Sequence, residues 1–292
     1  MRNKALSKVI FPLLLFALLL TAGYRCSQAW GDATGTAAGT SGSGGTAATK
    51  QSSPGNLTPP ADAPSATPAI DAKVRQILDK ACRQLSSTKT ITYHAEITFD
   101  SVLSSGVKIQ YAAALDTAIQ RPDHLTINYK SDLGAKVIWY DGKNLTIYDP
   151  AHRAYATTAA PPSIDSMFRQ VADEKHLSIP LEGFDFSNPC KRAYRDIQRA
   201  KYIGVNDVDG VDCDHLGFIQ QEADWQLWVD HAGKPLPKKI VITYKKVPSQ
   251  PQWSAVFSDW RFNQKLPASL FQPRLPKGVT KSSFIGAREN QR

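Results

Sequence analysis

Hydrophobic and polar residues fall into ordered patterns from about residue 70 onward. Ile70, Val74, Ile77, Leu78, Ala81 and Leu85 recur at helical spacing, with Asp71, Lys73, Arg75, Asp79, Lys80 and Arg83 off the stripe. This pattern predicts an amphipathic helix. The period then drops to two. Ile91, Tyr93, Ala95, Ile97 and Phe99 alternate with polar residues, and Val107, Ile109, Tyr111, Ala113 and Leu115 repeat the alternation after Ser104-Ser105-Gly106. Strict alternation predicts antiparallel strands with one face on a core. Shorter strands follow at 125–129, 137–140, 145–148 and 153–157, with Asp141-Gly142 as a hairpin turn in which Gly accepts a positive φ. A helix capped by Ser163 carries the stripe Ile164, Met167, Phe168 and Val171, and Ser187-Asn188-Pro189 starts a second short helix to about residue 198. Strands resume at 202–208, 211–220, 224–229, 239–245 and 253–262, the first two joined by Asp209-Gly210. The sum is a mainly β (α+β) domain of about nine to eleven short strands, spaced as in a barrel or a strongly curved antiparallel sheet wrapped over a few helices.

The first 69 residues belong to a different regime. Arg2, Lys4 and Lys8 precede an apolar run from Val9 to Gly23, which has signal-peptide length and is short for a membrane span. Ser27-Gln28-Ala29 suits signal peptidase. Cys26 is a lipidation candidate, although Gly23-Tyr24-Arg25 lacks the small residues that such processing prefers, and an uncleaved anchor is the third outcome. All three place the folded part outside the cytoplasm, in the periplasm for a bacterial envelope. Residues 30–69 are rich in Gly, Ser, Thr, Ala and Pro and read as a linker or tether. The expected organisation is 1–29 signal or anchor, 30–69 linker and 70–292 a single β domain.

Charge changes little. Four of the net +9 charges lie before residue 30, where there is no acid; the remaining +5 suits weak attraction to an anionic membrane. Basic residues alternate with acids, and no nucleic-acid-type block occurs. The 292-residue chain holds no nucleophile elbow, phosphate loop or His-Glu-x-x-His pattern, so neither an enzyme nor a cofactor is expected. In Asp212-Cys213-Asp214-His215 alternation sends the two acids to one face and Cys213 and His215 to the other, which argues against a metal site. Export permits disulfides. Cys190 and Cys213 bracket one helix and one strand and are the expected pair, whereas Cys82, on the apolar side of a helix, is expected to be a buried thiol.

Several segments resemble a known superfamily. Arg121-Pro122-Asp123-His124-Leu125, the hairpin from Tyr140 to Pro150, and Trp228-Val229-Asp230 followed by Pro235-Leu236-Pro237-Lys238 resemble periplasmic LolA-like lipoprotein carriers. The run Gly210–Leu216 with Asp224-Trp225-Gln226-Leu227-Trp228 resembles a narrower, uncharacterised family of predicted periplasmic proteins related to those carriers. The resemblance implies an incomplete antiparallel barrel over helices, with an apolar cavity and a lipid or lipoprotein as ligand. A structural or sensory interaction module without lipid cargo is the alternative on the same fold. Trp139, Trp225, Trp228 and Phe184 are the candidates for lining a cavity; Trp225 and Trp228 should point to opposite faces of one strand.

Overall fold

In a computed structural model that describes residues 69–174, 187–189, 194 and 197–283, the alternating segments form one continuous sheet. The elements run β1 (Ala69–Ile70), α1 (Ala72–Ser86), β2 (Thr90–Val102), β3 (Lys108–Gln120), β4 (His124–Ser131), β5 (Gly134–Tyr140), β6 (Asn144–Asp149) and β7 (Ala154–Ala159), followed by α2 (Ile164–Glu174). Then come β8 (Ile197–Val208), β9 (Val211–Gln220), β10 (Ala223–Asp230), β11 (Pro237–Tyr244), β12 (Gln252–Phe262), a short 3-10 helix at Ala268–Phe271, and β13 (Thr280–Ser282). Strand order is β1-β8-β9-β10-β11-β12-β2-β3-β4-β5-β6-β7-β13. Every long strand runs antiparallel to its neighbours; only the two short outermost strips, β1 and β13, pair in parallel.

The eleven long strands β2–β12 are those the period-two pattern predicts, and the thirteen of the sheet include two strips too short to leave such a pattern. α1 and α2 match the predicted helices within two residues. The helix expected at 189–198 lies largely outside the described residues, and its last two positions belong to β8.

Alternation gives each strand one face in the core. Val74, Ile77, Leu78 and Ala81 of α1 and Ile164, Met167, Phe168 and Val171 of α2 join Ile91, Leu115, Ile119, Leu125, Ile127, Tyr140 and Phe257 of the sheet in one buried cluster. This helix-covered side is the inner face. Local bonds fix the helices to it. Arg121 Nη1 donates to the carbonyls of Leu85 and Thr88 at 3.1 and 2.8 Å, satisfying open acceptors at the C-terminal end of α1. Ser163 Oγ accepts from the backbone N–H of Ser166 at 3.2 Å and caps α2 as its sequence suggests. Asp71 precedes α1 but spends its carboxylate on the N–H of Tyr202 in β8, at 3.1 Å.

The outer face is covered in two places. Beyond β12 the chain crosses β4, where the carbonyl of Leu270 accepts from Thr126 Oγ1 at 2.8 Å and Phe271 is fully buried, and it then runs beside β7 as β13. At the other end of the sheet Val208, Cys213 and Trp228 make a small second cluster with Val211, Val241 and Val256.

The cysteine expectation is corrected here. Cys213 is a free thiol, buried in that outer cluster, with Sγ 3.3 Å from the Val211 carbonyl. Burial pushes its pKa up to about 11. Cys82, expected to be free, is disulfide-bonded. The physical reason is placement: Cys213 alternates onto the outer face, whereas Cys82 lies on the core side of α1. Cys190 lies outside the described residues.

Candidate ligand-binding face

Two ends of the inner face differ in how they are filled. Because the long strands form an antiparallel meander, the turns at 103–107, 132–133, 150–153, 221–222 and 245–251 all lie at one end of the sheet, here called the rim. One rung below the rim, register places Phe218, Trp225, Ile242, Trp253, Phe99 and Tyr111 directly opposite one another across β9, β10, β11, β12, β2 and β3. All six share the inner face. Phe218 and Trp225 stack at 3.6 Å with planes 5° apart, and Phe99 and Tyr111 lie 5.7 Å apart. Phe218 is buried; the other five are only half-buried. An unbroken apolar strip across six strands, partly accessible, offers van der Waals surface with few polar atoms, the chemistry that holds an acyl chain. Tyr244, near the rim on the same face, has its phenol pKa raised by burial.

The cavity candidates divide accordingly. Trp225 belongs to this strip. Trp228 faces outward, as the odd spacing from Trp225 requires: it stacks on His215 at 4.0 Å, and Lys239 Nζ lies 5.2 Å from its ring. Trp139 pairs in register with Thr126, so it too faces outward, on the side crossed by the C-terminal segment, and is buried. Phe184 lies outside the described residues. Sequence reasoning missed Phe99, Ile242 and Trp253 as members of a strip, because only register brings residues from six strands onto one rung.

Several polar groups on the inner face are paired, although the buried Thr117 hydroxyl has no hydrogen-bond partner. Toward the rim, register sets Tyr129 opposite Lys136, and Asp149 lies one residue past the paired stretch of β6. Lys136 Nζ and Asp149 Oδ2 form a buried ion pair, and His152 Nδ1 reaches the same oxygen at 2.8 Å. Burial alone would raise the Asp149 pKa; hydrogen bonds from Lys136 and His152 outweigh it and hold the carboxyl below its ordinary value. On β9, Asp214 accepts from Tyr202 Oη at 2.9 Å and contacts His231 Nδ1 at 3.0 Å. Asp214 and His215 therefore part to opposite faces, as their spacing requires. Among the described residues no group of three His, Cys, Asp or Glu is placed to hold a metal.

A polar cleft of about 380 Å³ opens on the outer face, lined by Thr92, His94, Asp116, Asn128, Asp259 and Arg261 among others. His94 bridges Glu96 at 2.9 Å and Asp116 at 2.8 Å, and those two carboxylates raise its pKa above the ordinary imidazole value.

Comparison with known proteins agrees with a periplasmic placement. The model of the DUF2092 family, described as a predicted periplasmic protein, matches residues 74–285. No curated protein sequence matches the chain. Among solved structures, the lipoprotein LppX of Mycobacterium tuberculosis is similar at 9% identity and a TM-score of 0.41, covering 66% of this chain and 98% of its own. LprF of Mycobacterium bovis is similar at 11% identity and a TM-score of 0.40, over 72% of this chain and 98% of its own. The LolA superfamily protein NE2245 of Nitrosomonas europaea is similar at 12% identity and a TM-score of 0.35, over 68% and 97%. With residues 74–285 matched by one family model, the chain belongs to the DUF2092 family of predicted periplasmic proteins.

Proposed function

We propose that the protein is a non-catalytic binding or carrier protein of the periplasm, whose ligand is a lipid or the acyl chain of a lipidated partner. The observation that carries this reading is the six-residue strip Phe218, Trp225, Ile242, Trp253, Phe99 and Tyr111, apolar, continuous and only partly buried. Each methylene removed from water there is worth about 0.8 kcal/mol, so a chain lying across a few strands binds without a charged contact. Nothing in the strip orients a nucleophile or a general base. An apolar strip suits a tail of variable length, because dispersion contacts do not demand a fixed register with the ligand.

The test is titration of the purified protein with a fluorescent fatty acid or lipopeptide. Saturable binding is expected, weakened about tenfold or more by Trp225→Asp or Trp253→Asp, since the loss of two methylenes' worth of contact already corresponds to that factor. Trp139→Phe, on the outer face, should bind as the natural protein does. Absence of saturable binding, or equal loss in all three variants, would reject the reading.

A further inference from the structure

The β2–β3 hairpin is longer than the sheet around it. On one side, β12 pairs with β2 only as far as Phe99, opposite Trp253; on the other, β4 pairs with β3 only as far as Ala113, opposite Ser131. The ladder between β2 and β3 nevertheless continues to Val102 and Lys108. The last rungs are therefore a two-stranded ribbon projecting from the rim, leaned on by the β11–β12 turn through Ser249 Oγ, 3.2 Å from the Gly106 carbonyl. A projecting polar hairpin would be ordinary. This one carries Leu103 and Val107 at its tip, 46% and 53% exposed, with Ile109 just behind. The neighbouring β4–β5 turn is tied to β3 by Asp132, which accepts from the Ala112 N–H at 2.7 Å, and it presents Leu133, 60% exposed. Two adjacent tips at one end of the molecule thus hold branched aliphatic side chains out into water.

We infer that this rim is a membrane-docking surface, in which Leu103, Val107 and Leu133 enter the head-group region of a bilayer and set the inner-face strip beside it. The inference rests on the carrier reading for its purpose, but not for its geometry. Three observations favour a bilayer over another occupant. The apolar residues sit at the ends of turns and not on a flat patch, a shape suited to inserting between lipids rather than to burying a broad protein interface. Exposed Lys108, Lys130 and Lys246 flank the tips; of the nearby acids, Asp100 is buried, accepting from the Gln252 N–H at 2.9 Å and lying 3.6 Å from Lys108, while exposed Asp132 accepts from the Ala112 N–H, so Lys130 and Lys246 add positive charge that suits an anionic head-group layer. The third is continuity, because Phe99 and Tyr111 of the strip lie on the same two strands as the tips, so a chain leaving the bilayer between the tips meets the strip at once.

The experiment uses the full chain reconstituted in vesicles of phosphatidylethanolamine and phosphatidylglycerol. With Cys26 replaced by Ser, an environment-sensitive fluorophore is placed at Leu103→Cys, at Leu133→Cys and, as the control at the opposite end of the sheet, at Lys143→Cys, each read against the parent lacking an introduced cysteine. Lipid-borne nitroxide is expected to quench the two tip labels severalfold more than aqueous iodide does, with the order reversed at residue 143. Equal behaviour at all three sites, or no lipid quenching at the tips, overturns the inference. So does tip burial that follows protein concentration instead of lipid, which would mean that the tips meet a second copy. Fatty-acid titration of the same chains separates the two proposals. Quenched tips without saturable binding leave the docking surface standing and the carrier reading fallen; saturable binding with unquenched tips does the reverse.

Discussion

Two rungs of the same sheet face, one near the rim and one at the far end, are filled differently. The far rung places Phe262, Ile91, Ile119, Leu125, Tyr140 and Leu145 in register across β12, β2, β3, β4, β5 and β6. Its members from Ile91 to Leu145 are at most 1% exposed and join α1 and α2 in the core. The rung near the rim is equally apolar but mostly aromatic, and five of its six members remain half-buried. Aliphatic side chains interdigitate with the helices at one end, while flat rings at the other present area without being sealed. The difference teaches that hydrophobicity along a strand does not tell sealed core from accessible surface. Among the described residues, the far rung is the one that joins the α1 and α2 stripes in a fully buried cluster.

The comparison can be broken first at Lys136. It lies toward the rim, where tolerance to substitution should be greater, yet it is buried against Asp149. Lys136→Ala leaves the buried carboxylate without its lysine, held only by His152 and two backbone N–H groups, and should cost about 3 kcal/mol in urea unfolding. The same pair sets an acid limit. The folded protein holds the Asp149 proton less tightly than the unfolded chain does, so the contribution is complete above the ordinary value of 3.8 and is lost as pH falls through the lower folded-state value. Asp149→Asn should flatten that limb of the stability profile. If both variants behave like surface changes, the rim end is softer than its burial implies.

Next in size is the contrast between the rungs. Leu125→Ala opens a cavity under the helices and should cost about 2–5 kcal/mol. Trp225→Ala, which loses the stack on Phe218 but little sealed volume, should cost about 1–2 kcal/mol. Equal losses would mean that the strip is core and not a binding face. The smallest effect is at His94. Its raised pKa means that its bridge to Glu96 and Asp116 contributes fully below the ordinary imidazole value of 6.5 and is lost as pH rises through the folded-state value. The two carboxylates are largely exposed, so the contribution is about 0.5 kcal/mol. An NMR titration should place the His94 midpoint above 6.5, and Asp116→Asn should lower it.

Much of the fold was legible because period-two alternation survives in every long strand and the Asp-Gly turns mark hairpins; Asp209 and Gly210 do take positive φ, at 50° and 78°. The relative facing of Trp225 and Trp228 was legible for the same reason. Which of the two faces inward was not, since that depends on which side the helices pack. The strip itself was illegible, because its six members come from six strands and meet only through register. Cys213 misled because chain proximity to a helix and a strand says nothing about which face of the sheet a thiol occupies.

An open sheet has two unpaired margins, and each is a template for another chain. Here β1 lays two residues along β8, and β13 lays three along β7, both in parallel. Strips this short add little core, but they occupy backbone donors and acceptors that would otherwise recruit strands from outside. Their value lies in solubility. Trimming the chain before Thr280 should leave ligand binding intact and instead raise the tendency to aggregate, because the segment Ala154–Ala156 would then be offered to any passing strand.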